Sequence, residues 1–267
     1  MRLLNVDADG SLSLTTFIGN KIPSYAILSH TWEADNQELT FQDLQNGIGS
    51  SKASYRKIQF CGEQAQKDGL QYFWVDSCCI DRSNITELSE ALNSMFRWYW
   101  NAAKCYVYLS DVSKDDLDLI TWTSQVPYES AFRASRWFTR GWTLQELLAP
   151  RSVDFFTKEG MHLGDKKSFE LQIHETTGIA LAALRGHPLP QFSVKERMSW
   201  AEGRKTTWEE DQAYCLLGIF NVHLPLIYGE GKMNAFIRLQ EEIEKHPDVI
   251  GSGKGISAMA TPEDPDS

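Results

Sequence analysis

"LQYFWVDSCCIDRSNITELSEALNSMFRWYWNAAKCYVYLSD", residues 70 to 111, decides the fold class. It opens on a run of strand length, 70–76, rich in aromatic and branched residues. Asn84 and Glu87 follow at capping-box spacing, and Leu88, Leu92, Met95, Phe96 and Tyr99 then fall on one helical stripe. "CYVYLSD" (105–111) closes the unit as a second strand. Upstream, "SYAILSH" (24–30) reads as a buried strand, and "ASYRKIQFCGEQAQKDG" (53–69) as a helix bearing Tyr55, Ile58, Cys61 and Ala65 and stopped at Gly69. Downstream, a short helix ends near Pro150 and "SVDFF" (152–156) supplies a fourth strand. Strand and helix in alternation imply an α/β fold, a parallel sheet covered by helices.

After residue 160 helical patterns take over, at 165–177, 193–203, 208–219 and 232–246. The expected organisation is an α/β core over 1–160, a helical annexe of the same domain over 161–246, and a disordered tail or linker over 247–267, which has few large apolar residues. "GSGKG" (251–255) lacks both the spacing and the preceding strand of a phosphate-binding loop.

Acidic residues outnumber basic ones by 36 to 26 and no stretch concentrates cations, which argues against nucleic acid and anionic membranes as partners. No signal-like segment opens the chain, and nothing approaches a run of about 18 apolar residues, so a cytoplasmic protein is expected. The five cysteines (61, 78, 79, 105, 215) are odd in number and follow no framework spacing, which suits free thiols in a reducing compartment.

In an open parallel sheet the ligand crevice lies at the carboxyl ends of the strands. "LSHTWE" (28–33), "VDSCCIDR" (75–82) and "LSD" (109–111) would bring polar residues there, and "RWFTRGWTLQEL" (136–147) would add more. The candidates are His30, Trp32, Asp76, Asp81, Arg140, Trp142 and Glu146. Glu146 has two readings. "TLQE" (143–146) is itself a capping box, in which Glu146 reaches back to the Thr143 amide. Alternatively, Trp142 and Glu146, four residues apart, set a carboxylate beside an aromatic wall, as a sugar or ribose pocket would require. Asp76 invites pairing with Arg82 or Arg140, because a carboxylate ending an apolar strand is costly alone. Adjacent Cys78 and Cys79 cannot both easily ligate one ion, and the six histidines show no ligand spacing, so neither a metal nor a cofactor is expected. A thiol nucleophile at Cys78 or Cys79 would need His30 within hydrogen-bond reach.

"YAILSHTW" (25–32), "FWVDSCCIDRSNITELSEALNSMFRWYWNAAKCYVYL" (73–109) and "RWFTRGWTLQELLAP" (136–150) resemble the three blocks of the fungal HET, or heterokaryon incompatibility, domain. "RMSWAEGRKTTWEEDQAYCLLGIFNVHLPLIYGEG" (197–231) is similar to the downstream segment of members that precede a nucleotide-binding and repeat receptor. Glu33 departs from the pattern, since many members place Gly after the first-block tryptophan. The resemblance implies an effector of fungal cell death, activated by self-association and often joined to NLR-type regulatory domains. HET domains are in turn distantly similar to TIR domains, which implies a TIR-like, flavodoxin-like core. Several TIR enzymes cleave NAD with a glutamate four residues after a tryptophan. On that implication Glu146 is the catalytic candidate, Trp142 part of the wall, and NAD the substrate, with His30, Trp32, Asp76 and Arg140 around it. The competing expectation is a non-enzymatic module that kills by oligomerising or recruiting partners.

Overall fold

A computed structural model describes residues 1–19, 21–116 and 128–246. The stretch expected to be a tail or linker, 247–267, lies outside the described residues. Seven strands, β1 (Arg2–Val6), β2 (Leu12–Thr16), β3 (Tyr25–His30), β4 (Tyr72–Trp74), β5 (Lys104–Leu109), β6 (Val153–Thr157) and β7 (His162–Asp165), form one sheet in the order β2-β1-β4-β3-β5-β6-β7. The central four, β4-β3-β5-β6, run parallel, whereas β1 and β2 on one side and β7 on the other are antiparallel. Counted in chain order, the parallel strands follow 2-1-3-4, the flavodoxin-like arrangement, and the order reverses between β3 and β5.

Burial on both faces explains the near-continuous apolar runs of the central strands. All six residues of β3 are buried, and five of six in β5. The three antiparallel outer strands β1, β2 and β7 are only partly buried, and β7 is polar, so apolar run length does not mark them. The run read as a strand over 70–76 also ends early. It stops at Trp74, and Asp76 instead opens a short helix.

Among the helices, α1 spans Phe41–Gln45, α2 Tyr55–Lys67, α3 Asp76–Cys79, α4 Ile85–Asn101, α5 Glu129–Ala134 and α6 Thr143–Leu148. On α2 the stripe Ile58, Cys61 and Ala65 faces the sheet, and Gly69, at φ +75°, takes the left-handed turn that a side chain would resist. Asn84 caps α4 by accepting from the Glu87 amide at 3.2 Å, but the reciprocal half of the box is absent. The Glu87 carboxylate instead binds the Arg2 guanidinium and the Asp81 amide, tying the first strand to the α3–α4 turn.

After β7 the chain is helical: Glu170–Thr177, Leu181–Leu184, Val194–Ser199, Asp211–Tyr214, Leu217–Phe220 and Gly231–Lys245. The single helix expected over 208–219 is two short ones, with the Leu216 amide bonding back only three residues to Ala213. Leu217–Phe220 lies against α4, where Asn93 holds both backbone groups of Leu224 at 3.0 Å. A Cβ built on Gly218 would sit 2.1 Å from the Phe96 Cβ. Gly218→Ala is therefore expected to cost about 1–3 kcal/mol through overpacking, measured as a lower urea midpoint, and an unchanged midpoint would refute the close approach. No described helix is long and apolar enough to cross a membrane.

Candidate functional site

In open parallel sheets ligands bind beyond the carboxyl ends of the strands where the strand order reverses, which here is between β3 and β5. Thr31 and Ser110 meet there, hydroxyl to hydroxyl, at 3.1 Å. Asp111 serves structure: it accepts from the Ser135 hydroxyl at 2.7 Å and the Arg136 amide at 2.8 Å, fixing the turn 136–139 that leads toward α6.

Every residue of α6 is buried, and Glu146 is 6% exposed. The capping-box reading is not what the structure adopts. Trp142 occupies the N-cap position with no side-chain cap bond, and the Thr143 hydroxyl donates to carbonyl oxygens of Trp137 and Arg140. Glu146 reaches into the sheet instead. Its Oε2 accepts from Ser29 Oγ at 2.5 Å, and Ser29 Oγ in turn accepts from Trp137 Nε1 at 2.9 Å. Burial pushes the carboxyl up to about 8, aided by the negative charge of Asp76 and opposed by the bonds from Ser29 and Tyr99 and by the Arg140 charge. At neutral pH the resting side chain is thus largely a neutral acid.

A second cluster lies beside it. His30 Nε2 is 3.3 Å from Glu38 Oε1 and 3.8 Å from Asp76 Oδ1. Trp32 Nε1 donates to Asp76 Oδ2 at 2.9 Å, while Arg82 stacks 4.2 Å from the Trp32 ring and reaches the same oxygen at 3.4 Å. Asp76 is thus paired with Arg82. Glu38 and Lys57 complete the cluster: both are buried, and Lys57 Nζ sits 2.7 Å from Glu38 Oε2 and 3.0 Å from the Thr31 carbonyl. Burial works against the Glu38 carboxylate, yet the bonds and charges of His30 and Lys57 outweigh it and hold the group down at about 2. Glu33, the departure from the family pattern, donates its amide to Glu38 Oε2 at 2.7 Å and adopts no positive φ, so this turn does not require glycine.

Arg140 and Trp142 turn toward the helical part of the chain. Arg140 Nη2 reaches Thr207 Oγ1 at 3.4 Å, and Trp142 Nε1 donates to Asp211 Oδ2 at 3.0 Å. The backbone joins in: Lys205 N donates to the Thr139 carbonyl at 2.6 Å, and Gly141 N to the Lys205 carbonyl at 2.9 Å. Arg204 Nη1 adds bonds to the Arg140 carbonyl at 2.9 Å and to Thr143 Oγ1 at 3.1 Å. The turn that carries Glu146 is strapped to 204–211. Asp211 also accepts from the Tyr228 hydroxyl at 2.9 Å, and burial raises its carboxyl against these bonds.

Two expectations do not meet the site. Asp81 faces away, accepting from Gln42 Nε2 at 2.6 Å and from Ser83. Cys78 donates to the Leu39 carbonyl at 3.4 Å rather than to His30, and burial pushes its thiol well up, with Cys79 up to about 12. All five cysteines are free, and no group of three metal-ligating side chains occurs among the described residues. Ser29, Glu38, Lys57, Arg204 and Asp211 were not singled out in the sequence. Of these Lys57 had a signal, since it lies one turn before Cys61 on the apolar stripe of α2, where a charge needs a buried partner. At this end of the sheet the structure brings together Glu146, a buried acid, with His30, Trp32, Asp76 and Arg82, whereas the Arg140 and Trp142 side chains bond to residues 207 and 211.

A sequence model described as heterokaryon incompatibility protein (HET) matches residues 25–130, a stretch that includes His30, Trp32 and Asp76 and ends before Arg140, Trp142 and Glu146. The vegetative incompatibility protein HET-E-1 of Podospora anserina is 57% identical over 246 residues, 92% of this chain and 18% of that protein. The chain therefore spans about a fifth of the length of this relative. No solved structure matches it.

Proposed function

The chain belongs to the heterokaryon incompatibility (HET) domain family, and from that premise we propose that it is a cell-death effector of fungal incompatibility that cleaves NAD at the nicotinamide–ribose bond when copies assemble. The observation that carries the reading is the placement of Glu146, a carboxyl buried at the strand-order reversal, bonded to Ser29 of β3 and raised in pKa by desolvation. A nicotinamide ring is cationic, so its arrival beside Glu146 favours the carboxylate, and binding itself charges the catalytic group as its proton passes to solvent. The carboxylate then stabilises the oxocarbenium-like ribose as the C1′–N bond breaks and the bonding pair leaves with nicotinamide, neutralising its ring. Water adds its oxygen to C1′ and releases a proton, which His30 or solvent accepts, giving ADP-ribose. Arg140 and Arg82 supply positive charge for the pyrophosphate. Glu146 is nearly closed off in the single chain, so substrate entry requires the surrounding turn to open, and self-association is the step assigned to that opening.

A second reading rests on a different observation. Trp208, Ile227, Met233 and Ile237 are exposed on the helical part of the chain, as an adhesive surface would require. On that reading the domain acts by recruiting partners and performs no chemistry. Nicotinamide release from NAD, followed with dilute protein and with protein clustered on a multivalent carrier, separates the two. The expected result is release that rises steeply on clustering. No release from a sample shown to be assembled would overturn the enzymatic reading and leave the recruiting module.

A further inference from the structure

Behind the turn that leads into α6 lies a cavity of about 450 Å³, within the range that takes small ligands. Gly141, Arg204, Leu216, Lys232 and Phe236 are among the residues that line it. Arg204 is 9% exposed, and its three hydrogen-bond acceptors are neutral oxygens: the Trp200 carbonyl at 3.0 Å, the Arg140 carbonyl and the Thr143 hydroxyl. Its Nη2 has no partner. A buried guanidinium without a counter-ion is costly, and its planar fork matches a carboxylate or a phosphate. Lys232, exposed at the rim, adds positive charge, and the exposed Glu202 opposes it. Leu216 and Phe236 offer apolar surface for the rest of a ligand.

We propose that this cavity binds a small molecule bearing one carboxylate or phosphate on an apolar body, with the anion paired to Arg204. The site is separate from Glu146, and its occupancy does not depend on NAD cleavage. Because the same guanidinium holds the Arg140 carbonyl and Thr143, a ligand drawn to it also tightens the turn that carries Glu146.

Calorimetric titration of the whole chain with phenyl phosphate, benzoate and phenol tests the assignment. The expected result is saturable binding of at least one anion, ten-fold or more tighter than phenol, with the preferred anion telling a phosphate ligand from a carboxylate. Arg204→Gln should weaken binding at least ten-fold. Ala201→Phe, which places a ring in the cavity and leaves the Arg204 bonds in place, should do the same even if the Arg204 variant fails to fold. Binding of neither anion, or binding that survives Ala201→Phe, would overturn the proposal.

Discussion

Glu146→Gln is expected to lower NAD cleavage by about 10²–10⁴-fold while making the protein more stable at pH 8. The amide keeps the size of the side chain and its oxygen can still accept from Ser29, so the change isolates charge. The folded-state pKa is raised from 4.5 to about 8, so between those values the folded protein holds a proton that the unfolded chain has released. Stability is therefore lost as pH rises from 4.5 to 8, at about 1.4 kcal/mol per pH unit, or about 4 kcal/mol across the window as an order of magnitude. The variant has no such proton to hold. Its stability relative to the parent should grow by several kcal/mol between pH 4.5 and pH 8 in urea titrations, whatever constant cost the buried amide imposes. A flat difference would show that Glu146 is ionised at rest. On the enzymatic reading, kcat/KM of the assembled parent rises with pH toward a plateau above about 8, and cleavage by an assembled Glu146→Gln protein at the parent rate would remove Glu146 from the chemistry.

Lys57→Met is expected to destabilise the fold by about 3–5 kcal/mol at pH 7, because it leaves the Glu38 carboxylate buried without its ammonium partner. In the parent, Glu38 is depressed from 4.5 to about 2, so it contributes stability that is complete above 4.5 and is lost as pH falls toward 2. Without Lys57 that contribution shrinks. Adding Glu38→Gln to Lys57→Met should recover much of the loss, since no uncompensated charge remains, and a double-mutant cycle from urea unfolding reads the coupling. Additive costs would mean that the pair is not coupled. The buried charges also fix the site, for Glu38 orients His30 and receives the amide of Glu33.

Sequence reading reached the parts of this molecule that burial writes into periodicity. α2 and α4 are legible because their apolar residues recur at the helical period, and β3 and β5 because burial on both faces writes apolar runs of strand length. The β1–β2 hairpin and polar β7 are not, because antiparallel outer strands need only one covered face. At the site, strand ends could be aligned from topology alone, which is how His30, Trp32 and Asp76 were gathered. The partners of Glu146 could not. Ser29 lies among the polar residues read at the strand end, but nothing in its spacing points to residue 146, and Arg204 and Asp211 come from segments whose contact with the α6 turn depends on tertiary docking rather than spacing.

The strap between the α6 turn and residues 204–211 also ties two distant stretches of the chain into one exchangeable piece. Thr143 and Arg204, bonded at 3.1 Å, are 61 positions apart in the chain. A recombination breakpoint between their codons would join a turn to anchors that had never been matched to it. Exchange of residues 139–211 as one piece keeps these bonds together, whereas a substitution on one side of the strap alters the fit on the other.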